Sequence, residues 1–314
     1  MSYPLVAVVG PTGSGKSDLA LCLAQEFQGE IVNCDSIQLY RHFDIGAAKL
    51  PESARRSVPH HLIDVLDPNE TFTAGEFARR GRAALSGIRA RGLLPIVAGG
   101  TGFYLRALID GLFAGPQRDE ALRARLAARE RRKRGSIHRL LNRFDRAAAL
   151  AIHPNDVPKV IRALEVCLVT RRPLTEWFAT GRDALEGFRI LKIGLSPPRE
   201  VLYERLDQRC QNMFESGLID EVRSILDLGF SPTSKPFESL GYKQALQLIQ
   251  GELSIEEAVY HASQATRRYS KRQLTWFRAG AAVEWISGFG HDAAIQADAI
   301  ARVRRLLESV ASER

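Results

Sequence analysis

Short apolar runs alternate with amphipathic stretches along the first hundred residues. The apolar runs have the length and β-branched content of buried strands, and we predict strands at residues 5–9, 30–34, 61–65 and 93–98. Apolar residues at helical spacing predict helices at 17–27 and 73–91. Strands that alternate with helices in this way indicate a parallel sheet with helices packed on both of its faces.

The pattern changes in the middle of the chain. Strand signals disappear from about residue 112 to 189, where a helical pattern rich in Ala, Leu and Arg takes over. A strand pattern returns at 188–195, followed by predicted helices at 199–228 and 254–277, a strand at 283–286 and a helix at 293–308. We therefore predict an α/β core formed by residues 1–112 and 190–314, interrupted by an all-helical insertion at 113–189.

Composition limits the class of protein. The 314 residues are 45% hydrophobic and 25% charged, as is ordinary for a globular protein, and no apolar run has the length of a membrane span. The N-terminus lacks a signal-peptide pattern. The four cysteines and seven histidines are scattered, which favours reduced thiols and argues against a zinc site. We expect a cytoplasmic protein without membrane contact.

The net charge of +8 is concentrated in two segments. Residues 116–146 carry eleven Lys and Arg against four acidic residues, and five further cations lie between 267 and 278 together with Tyr269, Trp276 and Phe277. Charge runs are often just the solvated faces of helices. Two such clusters in one chain favour a polyanionic partner instead, with nucleic acid as the leading candidate. For Trp276 and Phe277 we favour packing in the core over base stacking.

A glycine-rich segment follows the first predicted strand and opens the first predicted helix. It contains Gly10, Pro11, Thr12, Gly13, Ser14, Gly15, Lys16 and Ser17. This is the eight-position pattern of a phosphate-binding loop, in which backbone N–H groups surround an anion at a helix N-terminus. Lys16 would add positive charge at the terminal phosphates, and the Ser17 hydroxyl would bind Mg²⁺. The predicted fold is thus a P-loop three-layer parallel sheet core with an inserted all-helical domain.

A carboxylate ends the second predicted strand. In parallel sheets of this kind ligands bind at the carboxyl ends of the strands, so Asp35 should lie in the same crevice as Lys16. Its role is open between a Mg²⁺ ligand, a general base and a turn or N-cap residue. Asp64, after the third predicted strand, is a second metal-site candidate. The glycine-rich segment at 99–102 is either a further part of the site or a tight turn between strand and helix.

Ten segments distributed along the chain resemble one family. They are GPTGSGKS (10–17), DSIQLY (35–40), DIGAAK (44–49), HHLID (60–64), GGTGFY (99–104), HPND (153–156), RALE (162–165), GYKQ (241–244), TRRYSKRQ (266–273) and TWFR (275–278). Together they resemble the tRNA dimethylallyltransferases, also called tRNA isopentenyltransferases. The resemblance implies transfer of a dimethylallyl group from dimethylallyl diphosphate to N6 of the adenosine next to the anticodon, at tRNA position 37.

The resemblance also implies roles for individual residues. Residues 10–17 would bind the diphosphate, with Mg²⁺ on Ser17; Asp35 would be the base that accepts a proton from the amine, and Thr101 would assist it. Contacts to the anticodon stem-loop of tRNA are implied for Asp35, Ser36, Ile37, Gln38, Thr101, Arg123, Lys159, Val160, Ile161, Arg162 and Ala163. Lys159 stands where the family usually has Arg, which retains the charge but loses the two-pronged phosphate contact. We expect a monomer.

Three other functions use the same loop. A small-molecule or nucleoside kinase would transfer phosphate from ATP, but it gives no reason for two basic clusters. A nucleic-acid-binding NTPase switch explains the clusters but leaves the segment 35–38 without a purpose. An adenylate isopentenyltransferase would alkylate free nucleotides, and the tRNA-contacting segments of the insertion argue against it.

Overall fold

A computed structural model describes residues 2–55, 57–280 and 282–313. The chain forms two compact units, one from the residues up to Ile109 together with those from Leu185 onward, the other from Asp110 to Ala184. The sequence pattern predicted the ends of the inserted segment at 113 and 189. Within the described part of the chain, no helix is both long and apolar enough to cross a membrane.

The larger unit contains one six-stranded sheet in which every neighbouring pair of strands is parallel. The strands are β1 (Tyr3–Val9), β2 (Gly29–Asn33), β3 (His60–His61), β4 (Leu94–Ala98), β5 (Phe188–Leu195) and β6 (Val283–Ile286). Their order is β3-β2-β4-β1-β5-β6, so β1 lies inside the sheet between β4 and β5. The parallel α/β fold predicted from the alternating pattern is confirmed.

Thirteen α-helices lie in the described residues. They are α1 (Lys16–Glu26), α2 (Ala74–Ala90), α3 (Gly102–Ile109), α4 (Glu120–Arg132), α5 (Ser136–Phe144), α6 (Arg146–Ala151), α7 (Val157–Thr170), α8 (Leu174–Ala179), α9 (Arg199–Glu215), α10 (Leu218–Asp227), α11 (Tyr242–Ile249), α12 (Ile255–Ala279) and α13 (Ala293–Ala311). Local sequence signals fix several of their starts. Thr73 caps α2 by accepting from the Glu76 N–H, and Ser254 forms a capping box with Glu257 at the start of α12.

The side chains of β1 point alternately into two hydrophobic cores, one on each face of the sheet. Leu5, Ala7 and Val9 pack with side chains of α2, α3 and α9–α12. Val6 and Val8 pack with side chains of α1 and α13. All five are essentially inaccessible to solvent, which explains why this strand appears as a continuous apolar run in the sequence. The predicted three layers are therefore present.

Two predicted elements differ from the structure. The strand expected at 61–65 is reduced to His60–His61, because Leu62 and Asp64 have φ angles of 60° and 55°, which lie outside the extended region. The single helix expected at 199–228 is two helices, α9 and α10. The chain is interrupted between them at Gly217, whose φ of 100° suits glycine and breaks the helical pattern.

The smaller unit contains α4–α8 around a core of its own. Leu126, Ile137, Leu141, Val160 and Leu164 are among its buried side chains. Glu165 is fully buried beside this core and accepts hydrogen bonds from Arg123 at 2.7 and 2.9 Å and from Arg162 at 2.5 Å. Burial alone would raise the pKa of Glu165, but the two arginines outweigh it and lower the pKa to about 2. The unit is thus organised around a buried ion triad.

Candidate active site

The phosphate-binding loop connects β1 to α1. Gly10, Gly13 and Gly15 have φ angles of 143°, 79° and 83°, which side chains other than glycine rarely adopt. A Cβ on Gly15 would lie 2.7 Å from the backbone N of Gly290, so the loop also needs glycine for close packing. The helix begins at Lys16, and its first N–H groups therefore face the loop.

The polar side chains of the loop are set up for an anion. Lys16 Nζ donates to the Pro11 carbonyl at 2.7 Å. Burial lowers the pKa of Lys16 to about 8, with Asp35 opposing the shift and Arg209 adding to it. The Ser14 hydroxyl is buried and has no hydrogen-bond partner among the described residues. Since buried polar groups are normally paired, this hydroxyl is an unsatisfied polar atom within the phosphate-binding loop.

Two adjoining cavities open beside the loop. One, of about 260 Å³, is lined by Gly13, Gly15, Lys16 and Ser17. The other, of about 450 Å³, is more apolar and is lined by side chains that include Tyr40, Phe72, Tyr104, Met213, Phe214 and Tyr269. Thr12, Asp35, Ala47 and Arg209 line both cavities. The arrangement places an anion-binding chamber next to a chamber suited to apolar or aromatic groups, with one carboxylate at their junction.

Asp35 lies just beyond the carboxyl end of β2, as the sequence predicted. Its Oδ1 accepts from the backbone N–H of Ile37 at 2.8 Å and of Gln38 at 3.4 Å, which stabilises the turn that follows. Its Oδ2 makes no hydrogen bond within the described ranges of the chain. The turn role considered from the sequence is therefore real but occupies only one oxygen, and the other is left for a substrate or a metal ion.

The segment 99–102 is tied to the Asp35 segment. The Thr101 Oγ1 accepts from the Ser36 N–H at 3.1 Å, and the Thr101 N–H donates to the Cys34 carbonyl at 3.1 Å. A Cβ on Gly99 would lie 2.1 Å from the Cys34 carbonyl oxygen, so only glycine allows this approach. The segment is both a tight turn into α3 and a neighbour of the proposed base, and the two interpretations considered from the sequence do not exclude each other.

Residues 36–38 continue from Asp35 along both cavities. Ser36 and Ile37 line the apolar cavity, and Gln38 lines the anion cavity and donates from Nε2 to the Ala47 carbonyl at 3.1 Å. Glu221 fixes the loop that contains Ile45 and Ala47, because its carboxylate accepts a hydrogen bond from the Ile45 N–H at 2.8 Å. Glu221 carries no local sequence signal, because its partners Asp44 and Ile45 lie 177 and 176 positions away along the chain.

Asp64 does not belong to this site. Its carboxylate is engaged by Lys49 at 2.5 Å, and Asp64 lines neither of the two cavities. Asp64, named from the sequence as a metal-site candidate, instead shares the buried Lys49 ammonium with Asp44. Among the described residues, no group of three or more His, Cys, Asp or Glu side chains could hold a metal ion. A metal bound here would need ligands from the substrate.

Four polar residues of the site were given no site role from the sequence. Arg205 and Arg209 of α9 line the anion cavity, and their spacing of four places them on one face of the helix. Burial lowers the pKa of Arg209, which Asp35 partly opposes. From α12, Tyr269 lines the apolar cavity and Gln273 contacts the phosphate-binding loop. The arginine spacing could have been noticed in the sequence, whereas the amide of Gln273 carries no such signal.

The remaining predicted residues lie in the smaller unit. Lys159 is exposed and pairs with Asp156, while Arg123 and Arg162 are partly buried against Glu165. Val160, Ile161 and Ala163 are buried in the core of that unit, so their side chains cannot reach an external RNA. The tRNA contacts implied for residues 159–163 stay a prediction, and within this segment the side chains of Lys159 and Arg162 lie outside that core.

Two aromatic residues of the second basic cluster differ in their exposure to solvent. Phe277 is buried in the core, as expected, whereas the Trp276 side chain is 42% exposed. Trp276 packs against Gly102, where a Cβ would lie 2.1 Å from the indole. Arg267 of the same cluster pairs with Asp207, so part of its charge is neutralised by a residue that is distant in sequence.

Comparison with known proteins identifies the family. The sequence profile described as IPP transferase matches residues 38–280. A protein of Solibacter usitatus named tRNA dimethylallyltransferase is 64% identical over 97% of this chain and 99% of its own length. One of the same name from Koribacter versatilis is 55% identical over 96% and 98%.

Solved structures agree with these relatives. The tRNA isopentenylpyrophosphate transferase of Bacillus halodurans has a TM-score of 0.74 at 36% identity, with 99% of this chain and 98% of that chain covered. A eukaryotic dimethylallyltransferase described as acting on tRNA has a TM-score of 0.83 at 28% identity, with 100% and 80% covered. On the extent of these matches, the chain belongs to the IPP transferase family.

Proposed function

We propose that this protein transfers a dimethylallyl group from dimethylallyl diphosphate to N6 of the adenosine 3′-adjacent to the anticodon, tRNA position 37, and releases diphosphate. The observation that carries the proposal is the position of Asp35, which lines both the anion cavity and the apolar cavity. The names of the relatives, tRNA dimethylallyltransferases, support the same reaction.

The donor's diphosphate would bind in the anion cavity. The Lys16 ammonium and the Arg209 guanidinium supply positive charge there, and the backbone N–H groups of residues 10–17, apart from Pro11, supply partial positive charge. The unpaired Ser14 hydroxyl is a further donor. Together they would stabilise the negative charge that develops on diphosphate as it leaves.

The residues present fit a Mg²⁺ ion that is coordinated mainly by the substrate. Ser17 lines the cavity next to Lys16 and can offer its hydroxyl, and Asp35 has a free carboxylate oxygen nearby. Mg²⁺ commonly takes only one or two protein ligands and fills its remaining positions with phosphate oxygens and water. When bound, it would neutralise charge on the diphosphate; Ser17 is the ligand that we propose.

The bond that breaks is the one between the allylic carbon and the diphosphate oxygen, and the bond that forms joins that carbon to N6. The amine proton becomes acidic only as the new bond forms, and we assign Asp35 Oδ2 as its acceptor. Thr101, held against Ser36, would position the amine or the diphosphate. The apolar side chains of the larger cavity would keep water from the reacting carbon, which otherwise would be hydrolysed.

A tRNA substrate accounts for the charge distribution. The target adenosine must leave its stack to reach Asp35, and a single-stranded anticodon loop makes that step easier. Ser36, Ile37 and Gln38 would contact the flipped base, and Arg123, Lys159 and Arg162 would bind the anticodon stem-loop. The basic residues of 118–146 would contact backbone phosphates, which contribute affinity more than sequence preference. We expect the enzyme to act as a monomer in the cytoplasm, where its tRNA substrate is found.

The proposal is tested with purified protein, Mg²⁺, radiolabelled dimethylallyl diphosphate and unmodified tRNA. We expect label in tRNA, recovered after digestion as an N6-alkylated adenosine from position 37. Parallel reactions contain AMP in place of tRNA, or labelled ATP in place of the prenyl donor. Label on AMP would instead identify a nucleotide prenyltransferase, and transfer of phosphate from ATP would identify a kinase; either result without alkylation of tRNA refutes the proposal.

A further inference from the structure

One buried amide connects the two loops that line the candidate site. The Oε1 of Gln273 accepts from the Thr12 N–H at 2.7 Å, and its Nε2 donates to the Gly100 carbonyl at 2.9 Å. Thr12 belongs to the phosphate-binding loop, and Gly100 to the segment that carries Thr101. The Gln273 residue is only 5% exposed, so these bonds are shielded from competing water.

The geometry points to Gln273 as a positioning residue that fixes the spacing between the bound diphosphate and the amine that attacks. This inference rests on the proposed function. Gln273 touches neither reacting atom in this assignment; it acts by holding the loop of Thr12 and the loop of Thr101 in one relative position.

The Gln273 amide packs tightly against the backbone of the loop that carries Thr101. A Cβ on Gly100 would lie 2.1 Å from Gln273 Nε2, so the amide lies directly on the loop backbone. Trp276, three residues further along α12, lies equally close to Gly102. Residues 273 and 276 therefore hold this loop at two points, and Gln273 also reaches the phosphate-binding loop.

The connection extends to the proposed base. Thr101 accepts from the Ser36 N–H, and Ser36 follows Asp35 directly. One short chain of contacts thus runs from the diphosphate side, through Gln273 and the Thr101 loop, to the carboxylate. Displacement at carbon requires the attacking atom and the carbon to be about 3–3.5 Å apart, and an error of about 1 Å can lower the rate by about 100-fold. A residue that sets this spacing should affect the rate of transfer more than the binding of either substrate.

The test compares two substitutions that keep the length of the side chain. Gln273→Met removes both hydrogen bonds, whereas Gln273→Glu keeps an acceptor for the Thr12 N–H but replaces the donor to Gly100 with an oxygen. Gln264→Met, on the same helix but lining neither cavity, is the matched control. For each protein we would measure single-turnover transfer to tRNA, the KM values of both substrates, the release of dimethylallyl alcohol, and thermal unfolding.

We expect both Gln273 variants to transfer about 10- to 100-fold more slowly while the KM for tRNA stays within about twofold. Release of dimethylallyl alcohol relative to transfer should increase, because water competes better at a carbon that the amine reaches poorly. The Gln264→Met control should match the wild type in all of these measurements.

Several results would overturn the inference. It fails if the variants transfer at the wild-type rate, if only a KM changes, or if transfer and hydrolysis fall in parallel. It also fails if both variants are unfolded, since Gln273 would then be required for folding. If the wild-type protein itself does not alkylate tRNA, the proposed function fails, and the inference fails with it. If the wild-type protein alkylates tRNA and both Gln273 variants do so at the same rate, only the inference fails.

Discussion

Burial of the Lys16 side chain changes its protonation in a way that suits an anionic ligand. An ammonium group in a shielded cavity loses hydration, and this loss lowers the pKa of Lys16 to about 8. A diphosphate that enters the cavity restores favourable interactions to the charged form. In the free protein the charge of Lys16 is therefore lost within the range of pH at which enzymes are commonly assayed.

The KM for dimethylallyl diphosphate should consequently depend on pH. Below pH 8 the Lys16 ammonium is charged and binds the donor; above pH 8 the group is increasingly neutral in the free protein. We expect the KM to rise about tenfold between pH 7 and pH 9, in proportion to the falling charged fraction. Initial rates at saturating tRNA over that range provide the measurement.

Lys16→Arg is the matched control, because arginine stays protonated throughout. Whatever the activity of this variant at a single pH, its KM for dimethylallyl diphosphate should vary much less between pH 7 and pH 9. A wild-type KM that stays constant between pH 7 and pH 9 would show that Lys16 does not lose its charge in the free protein over that range.

At the scale of residues, the sequence predicted those parts of the site that a local motif encodes. Residues 10–17 and Asp35 were predicted in this way, because each directly follows a predicted strand. Gln273 was not, because its partners Thr12 and Gly100 are 261 and 173 positions away. Arg123 and Arg162 appeared as free cations in the sequence, and only the fold brings both to the buried Glu165.

At the scale of elements, the site depends on how closely β2, the segment 99–102 and α12 approach one another. Glycines 99, 100 and 102 each face a neighbour that a Cβ would meet at 2.1 Å. Three small residues in four positions thus allow one loop to lie between the end of β2 and the side chains of α12. This is the physical reason for the glycine content of the segment.

Gly99→Ala should therefore disrupt the site. Its Cβ would be driven into the Cys34 carbonyl, which is backbone and cannot rotate away as a side chain could. We expect a loss of stability of about 1–3 kcal/mol and a fall in transfer rate of at least about tenfold, because Thr101 and Asp35 both adjoin this contact. Denaturant unfolding and single-turnover transfer would measure the two effects.

Gly87→Ala, inside α2, is the control. At that position the nearest atom to a new Cβ is the end of the Arg91 side chain at 3.6 Å. Alanine there should stabilise the protein by about 0.4–1 kcal/mol and leave transfer unchanged. If Gly99→Ala behaves like Gly87→Ala, the close approach of loop and strand is not required.

Elements with strong patterns were predicted well, and weak or interrupted ones were not. The runs that form β1 and β4 are apolar throughout, which made the sheet visible in the sequence. The predicted third strand was too long because the left-handed backbone at Leu62 and Asp64 leaves no mark on the apolar pattern. Helix α11 lies in a stretch that no predicted element covered.

At the scale of the whole molecule, the two units differ in charge as well as in architecture. Arg125, Arg129, Arg132 and Lys133 surround a groove in the smaller unit, and none of the four side chains forms an ion pair with the residues that the structure describes. Unpaired cations at a protein surface attract a polyanion, and each phosphate contact releases counterions. This distribution of charge agrees with a protein that binds the phosphates of an RNA backbone.

A triple variant in which Arg129, Arg132 and Lys133 are each replaced by Ala should bind tRNA about 10- to 100-fold more weakly at low salt. The slope of log affinity against log salt should become shallower by about 2 to 3, because each lost phosphate contact removes roughly 0.7–0.9. Filter binding over a salt series measures both quantities, and transfer at saturating tRNA should remain close to that of the wild type.

A second triple variant, with Arg79, Arg223 and Arg304 replaced by Ala, removes the same charge from exposed arginines that already pair with Glu76, Asp220 and Glu26. It should change affinity and slope much less. Equal effects of the two triple variants would mean that only net charge matters, and would contradict a specific role for the basic groove.

In the proposed reaction, Asp35 accepts the proton of the alkylated amine. Asp35→Asn tests it most directly, because the amide oxygen can still accept from the Ile37 N–H and preserve the turn. We predict that single-turnover transfer at saturating substrates falls by about 10²- to 10⁴-fold, while the Kd values for tRNA and dimethylallyl diphosphate stay within a few-fold of the wild type. A variant that binds diphosphate and Mg²⁺ poorly, yet transfers at nearly the normal rate when saturated, would contradict the claim and identify Asp35 as a metal ligand.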